Sequence, residues 1–503
     1  MCNKVIVSRV LACLLASALC GCVSPPGRQV DAGPLVTADR DVHGVPGVRV
    51  LGPLVERRVA EDGKTFTAVR PFWSRVDDPQ AERAVTDVVW PIGMAKTRKG
   101  ELDWRLFPAF GHDFDADTKG SRHRWTVFPI LFGGRNAEGG RYFSVFPLGG
   151  TLHEFFGRDR IWFVLFPFYA YSTIKDQQTH SVLWPVYSRT TGTGIYRFRV
   201  WPFYGISVNE DRWTKRFVLW PFWTSVHYDY PDQKGGGFVL FPVVGRVDVG
   251  DRHSRMLLPP FFKVEWAGES HRAVNAPWPF VQYSRGDTDK LYLWPLFGRK
   301  AMANERQWFA LWPLVSGRRN DLPTATVRRF QALPLVFYES RHALQPVADG
   351  GSPRPAQARA EARYFKLWPL VSYRREGDDS QLRALALWPL KQTPGIERNW
   401  APLWSLYSRE RAGDVRQTEL LWGMVRHRRS GTARTLSVFP LLQAASDKAA
   451  ASRSWSLLYG LAGYERDGLH KSFRLLYFLH VGRRTAARDH DLDGDGEKDA
   501  GKL

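Results

Sequence analysis

"FVLWPFWTS", residues 217–225, is followed by "FVLFPVVGR" at 238–246, then by "LYLWPLFGR" at 291–299 and "FKLWPLVSY" at 365–373. Each copy sets an aromatic–proline pair inside an apolar stretch. The series runs Pro71, Pro91, Pro108, Pro129, Pro147, Pro167, Pro185, Pro202, Pro221, Pro242, Pro259, Pro279, Pro295, Pro313 and Pro334, and resumes at Pro369 and Pro389. Ser405, Gly423, Pro440, Gly460 and Phe478 fill the slot in later copies, and Pro53 of "LGPLVERR" supplies an early one. A spacing of roughly 16 to 21 residues, kept over about 22 units, identifies a repeat architecture.

Turn-forming polar runs separate the units, such as "NEDRWTK" (209–215) and "SRGDTDK" (284–290). Aromatic and β-branched stretches bounded by Gly, Asp, Asn and Ser are the mark of strands and hairpins. No stretch after the first residues keeps a helical apolar period, so the chain reads as all-β. Side chains alternate between faces along a strand. In 365–373, Phe365, Leu367, Pro369, Val371 and Tyr373 share one face, and Lys366, Trp368, Leu370 and Ser372 share the other. The proline face is expected to be dry, and the other to carry a narrow aromatic belt.

Proline cannot donate to a ladder and is confined to edges, bulges and corners. Each aromatic–proline pair is therefore expected at a corner. The fold predicted is a repetitive antiparallel meander, one bent strand per unit, forming a large barrel or strongly curved sheet. A β-solenoid is the alternative.

The chain begins "MCNKVIVSRVLACLLASALCGCVSPPG". Lys4 and Arg9 precede a short apolar run, Val10 to Leu19, which is the layout of a secretory signal and too short to span a bilayer. Leu19-Cys20-Gly21-Cys22 resembles the bacterial lipobox, Leu-x-Gly-Cys. The resemblance covers the first 22 residues and implies a signal peptide at 1–21 and lipid on the thiol and amine of Cys22. It also implies membrane anchoring in a bacterial envelope and, with Val23 next in the chain, the outer membrane. The other cysteines, Cys2, Cys13 and Cys20, all lie in this leader, so an exported chain would have no disulfide and must be stabilised by burial. Residues 22–47 read as a flexible tether, 48–482 as a single repetitive domain, 343–362 as an inserted loop and 483–503 as an acidic, polar tail.

Lys and Arg number 71 against 50 Asp and Glu, a net charge of +21. In an exported chain this excludes nucleic acid as the expected partner and favours anionic lipid, a glycan or an envelope protein. Arginines that merely solubilise turns account for the same number. Two acidic runs have alternating carboxylates. "GHDFDADTKG" carries Asp113, Asp115 and Asp117, and "DHDLDGDGEKD" carries Asp491, Asp493, Asp495, Gly496 and Asp499. The second resembles the calcium loops of EF-hand and dockerin repeats. It departs from them in having Lys502 at the twelfth position and no entering helix. Ca²⁺ at that tail is the one cofactor the sequence suggests, and a solvated acidic tail is the other reading.

No nucleophile elbow, zinc motif or phosphate loop is present, so no catalytic residue is assigned and the chain is not expected to be an enzyme. The function expected is a lipid-anchored envelope scaffold or binding protein. An outer-membrane barrel for transport or export is one alternative, and an enzyme acting on envelope polymers through its loops is another.

Overall fold

The computed structural model describes residues 30–231, 233–345, 354–355, 361–468 and 470–484. Cys22, the leader and the 491–499 carboxylates lie outside them, as does most of 343–362. The described residues form an antiparallel β-meander, each strand pairing with its neighbours in sequence. The first strand, Val30–Ala32, pairs only with the second, and the last, Leu479–Arg484, only with its predecessor, so pairing does not close the ladder into a barrel.

Each unit is two short strands, not one bent strand. Trp213–Val218 and Trp223–Tyr230 pair antiparallel, with Leu219-Trp220-Pro221-Phe222 between them. The Trp220–Pro221 bond is cis, and the Phe222 amide donates to the Leu219 carbonyl at 2.7 Å. That is a tight turn with the proline at its third position. The missing N–H therefore falls outside the ladder, and no ladder hydrogen bond is lost. The same turn recurs along the chain, at Trp184–Pro185, Trp294–Pro295, Trp312–Pro313 and Phe439–Pro440 among others.

Because strands alternate in direction, all the proline turns fall on one edge of the ladder and all the polar turns on the other. Three residues past the proline the chain often places Gly or Ser. Gly205 and Gly298 are required there, since a Cβ would collide with the rings of Phe217 and Phe309 on the neighbouring strand.

The chain divides into two compact units: Ala60–Gly413, and the parts of the chain before and after it, up to Val59 and from Asp414. The stretch expected as a single domain, 48–482, is thus shared between these two units. The tether expected over 22–47 is shorter as well, because Val30–Ala32, Val36–Arg40 and Pro46–Val50 are strands. The glycines read there as tether, Gly33 and Gly44, instead take positive φ at turns between these strands.

In the smaller unit the N-terminal strands are held by buried charge. Arg49 donates to both oxygens of Glu419 at 2.8 and 2.6 Å, and Arg426 lies 3.0 Å from Glu419 and 3.2 Å from Asp39. Burial alone would push Glu419 up. Arg49 and Arg426 outweigh it and hold the carboxyl well below the usual range.

In the larger unit two short helices, α1 (Pro394–Asn399) and α2 (Ala401–Trp404), interrupt the repeat after Pro389. Asp87, fully buried, accepts from Arg398 at 2.7 and 3.0 Å and from Asn399 at 2.9 Å. The Trp400 indole donates to the Trp90 carbonyl at 2.9 Å. These bonds join the end of this unit to its first strands.

Polarity in the larger unit runs contrary to expectation. The faces sort by period two as read from the sequence, with Leu367 opposite Val371 and Phe365 opposite Tyr373. Yet the buried positions are Lys366 and Ser372, while Leu367 and Val371 are only half-buried. The Lys366 ammonium donates to the carbonyls of Trp388 and Leu390, and burial pushes its pKa down to about 8. Ser74, Ser144, Thr179, Ser181 and Thr190 are buried on the same side. The apolar face, expected dry, is the more exposed one.

Candidate functional site

A groove of about 1100 Å³ lies against the polar face of the ladder between residues 146 and 247. Its floor is set by strand register. Ser188 stands opposite Arg199, Thr190 opposite Arg197, Arg199 opposite Gly205, Arg197 opposite Ser207, and Ser207 opposite Lys215. Three cations thus share one face, Arg197 and Arg199 on a single strand and Lys215 two strands away, roughly 9.5 Å off, over hydroxyls and one glycine.

The hydroxyls are held in place. Thr179 Oγ1 and Thr190 Oγ1 are 2.9 Å apart, and both residues are buried. The cations carry no counter-charge. Arg197, Arg199 and Lys215 form no ion pair among the described residues, and no carboxylate lines the groove. Arg199 Nε is buried without a hydrogen-bond partner. An unpartnered buried guanidinium N–H costs about 1–3 kcal/mol, which an anionic oxygen would recover. Lys215 lies over the Trp213 ring at 4.7 Å.

Apolar walls flank the cations. Leu152 and Phe163 belong to a packed cluster with Phe132 on one side, and Phe217, Val226 and Val239 line the other. The arrangement can take a negatively charged head between the cations and an apolar body along the walls.

The groove was not singled out from the sequence. Its signal is "IYRFRV" (195–200), where period two puts both arginines on one face of a single strand. Of Asp113, Asp115 and Asp117, the calcium candidates that are described, the first two serve a local turn. Asp113 accepts from Ser121 Oγ at 2.5 Å and from the Asp115 amide at 3.2 Å, and Asp115 accepts from Thr118 Oγ1. Among the described residues no three His, Cys, Asp or Glu are placed to share a metal ion.

The chain matches no protein-family model and no curated protein.

Proposed function

We propose that this is a binding protein of the bacterial envelope, attached to a membrane through lipid on Cys22, that holds an anionic amphiphile in the Arg197–Arg199–Lys215 groove. The supporting observation is a concave site with three unpaired cations, a hydroxyl floor and apolar walls, since ligand sites join a largely apolar lining to a few placed polar groups. The net charge of +21 draws anionic ligands to it.

A membrane-spanning barrel fits less well, because a spanning strand needs about 9–11 residues. The strands that carry the repeat, such as Trp213–Val218 and Glu305–Ala310, have 6. An acid pair for cleaving glycans has no host in this groove, which holds no carboxylate.

Short-chain phosphatidylglycerol, added as monomer and followed by calorimetry, tests the groove. It is expected to bind better than short-chain phosphatidylcholine, and replacing Arg197 and Arg199 together by Ala is expected to weaken it about tenfold, a loss of about 1.4 kcal/mol. Equal binding of the two lipids, or an unchanged affinity in the double variant, rejects the reading. The anchor is tested by labelling cells with an alkyne-bearing palmitate analogue, which should mark the wild-type chain and not Cys22→Ala.

A further inference from the structure

We infer that the proline-turn edge of the larger unit inserts into the hydrocarbon of one membrane leaflet, with the arginine-rich row behind it among anionic headgroups. This attachment is separate from the lipid on Cys22 and from the cations of the groove, although Trp184 and Trp220 of the edge border that groove, and it uses the edge of the sheet rather than its span.

The edge is apolar throughout. From residue 70 to residue 370 the turns on it read as Val, Leu, Trp, Phe, Ile, Ala and Pro, and Arg70, which is buried, is the one charged residue. Their tips face outward. Leu219 is 52 % exposed, Trp220 48 % and Leu311 56 %. Successive tips are two strands apart, about 9.5 Å. A line of separate tips offers little flat area to another protein, whereas fluid acyl chains fill the gaps between them.

Folding does not explain these residues. Leu165, Leu183, Leu219, Leu258 and Leu311 all adopt φ of 41–48°, a left-handed conformation that disfavours every side chain with a Cβ except, in part, Asn and Asp. Leucine at an exposed left-handed turn position is poor for folding and poor for solubility. Its recurrence points to a non-aqueous neighbour.

The backbone is also prepared for hydrocarbon, where unpaired amides are excluded. Proline brings no N–H, the amide after it closes its own turn, as Phe222 does onto Leu219, and the two amides before it donate to the preceding turn. Leu219 and Trp220 donate to the carbonyls of Phe203 and Pro202 at 2.7 and 2.6 Å, and Leu311 and Trp312 donate to Leu296 and Pro295 at 2.7 and 2.8 Å.

Behind the tips, on the face that alternates with the one carrying Arg197, Arg199 and Lys215, three rows run across the ladder, and Phe198, Arg216 and Phe238 of the second also border the groove. The first includes Val182, Tyr187, Val200, Tyr204, Val218 and Trp223, and it holds no charged residue as far as Val371. The second, two residues and roughly 7 Å further along each strand, mixes aromatics with arginine, running His180, Arg189, Phe198, Ile206, Arg216, Ser225, Phe238 and Arg246. The third is mostly polar or charged, with Thr191, Thr214 and His227 and, further along, Arg306, Arg319 and Arg328, while Tyr196 and Val208 stand between Thr191 and Thr214. Apolar, then aromatic with cation, then polar is the order met on passing from acyl chains through the interface to the headgroups. The apolar part is roughly 10 Å deep, within the ~15 Å of a single leaflet's hydrocarbon.

The test uses the full chain carrying Cys22→Ala, so that acyl chains do not contribute, and vesicles of phosphatidylcholine with and without phosphatidylglycerol. Binding is expected to both, about tenfold tighter with phosphatidylglycerol, and lipids brominated along the acyl chain should quench part of the tryptophan emission. Replacing Leu183, Leu219 and Leu311 together by Asn should lower vesicle binding at least tenfold without lowering the melting temperature, because Asn tolerates positive φ better than Leu. The Arg197→Ala, Arg199→Ala pair should leave vesicle binding unchanged, which separates this inference from the groove. Vesicle binding that is insensitive to the three leucines, absence of quenching, or edge-dependent self-association without vesicle binding would each overturn it.

Discussion

Asp211 and Leu219 flank the same strand, Trp213–Val218, and both stand in the left-handed region, with φ of 57° and 47°. The two turns solve one backbone problem with opposite chemistry. At the polar edge most positive-φ positions are filled by glycine or a charged residue, as at Lys99, Gly157, Lys175, Gly194, Asp211 and Gly250, with Phe156 and Ala451 the departures. Carboxylates there cap turn amides, Asp176 accepting from Thr193 and Asp159 from Lys175, both at 2.5 Å. At the proline edge leucine takes the strained position, and neighbouring turns satisfy one another through carbonyls alone. Turn chemistry that suits water is concentrated at one edge, where Phe156 is the apolar departure. The other edge is built to do without it.

The exception on the proline edge supports this division. Arg70 is charged, and it is covered: its Nε donates to the Arg398 carbonyl at 2.6 Å, beneath α1. The largest effect is therefore expected from Asp87→Ala, which removes the carboxylate that holds Arg398 and Asn399 and leaves their donors buried. A loss of about 3–5 kcal/mol is expected in urea unfolding. A loss below 1 kcal/mol would mean that α1 is held by other contacts and that Arg70 is no true exception.

Exchanging the edge chemistries is a smaller perturbation. Leu219→Asn should raise stability by up to about 1 kcal/mol, and Asp211→Leu should lower it by about the same amount, both through left-handed preference. Thermal unfolding of the two variants checks the pair. Equal and small changes would remove the argument that leucine at the tips opposes folding.

The smallest effect concerns acid. The Thr193 amide, then its side chain, holds Asp176 below its ordinary value of 3.8. A depressed carboxyl stabilises the fold at pH above that value, and the contribution is lost as pH falls through the folded value. In hydrogen exchange compared at equal pH, Thr193 should lose protection below about pH 4, while Leu183 and Leu219, bonded only to carbonyls, should not. Parallel behaviour of the two edges would contradict the contrast drawn between them.

Some of this was legible in one dimension. Proline spacing gave the number of units, and residue alternation in 365–373 sorted Phe365, Leu367, Val371 and Tyr373 onto one face, as the ladder pairs them. Alternation tells two faces apart without saying which of them is covered, so the apolar face was assigned to a dry interior that it does not occupy. The groove was missed for a related reason. Arg197 and Arg199 share a face in the sequence, but their lack of carboxylate neighbours depends on strands that arrive from elsewhere. The boundary between the two units was equally hidden, because the same repeat runs through both.

What the amino-acid order settled by itself was local: strand character, the sorting of residues between two faces, and the position along the chain of every aromatic–proline pair, but not that the pair closes a hairpin instead of bending one strand. These follow from backbone sterics and period two, which act over a few residues. Which side of the sheet faces outward, which cations remain unpaired, and how Asp87 meets Arg398 across 311 positions of sequence were decided only when distant strands came together. Burial and charge pairing depend on all the neighbours in space, and a chain read in order shows only two of them.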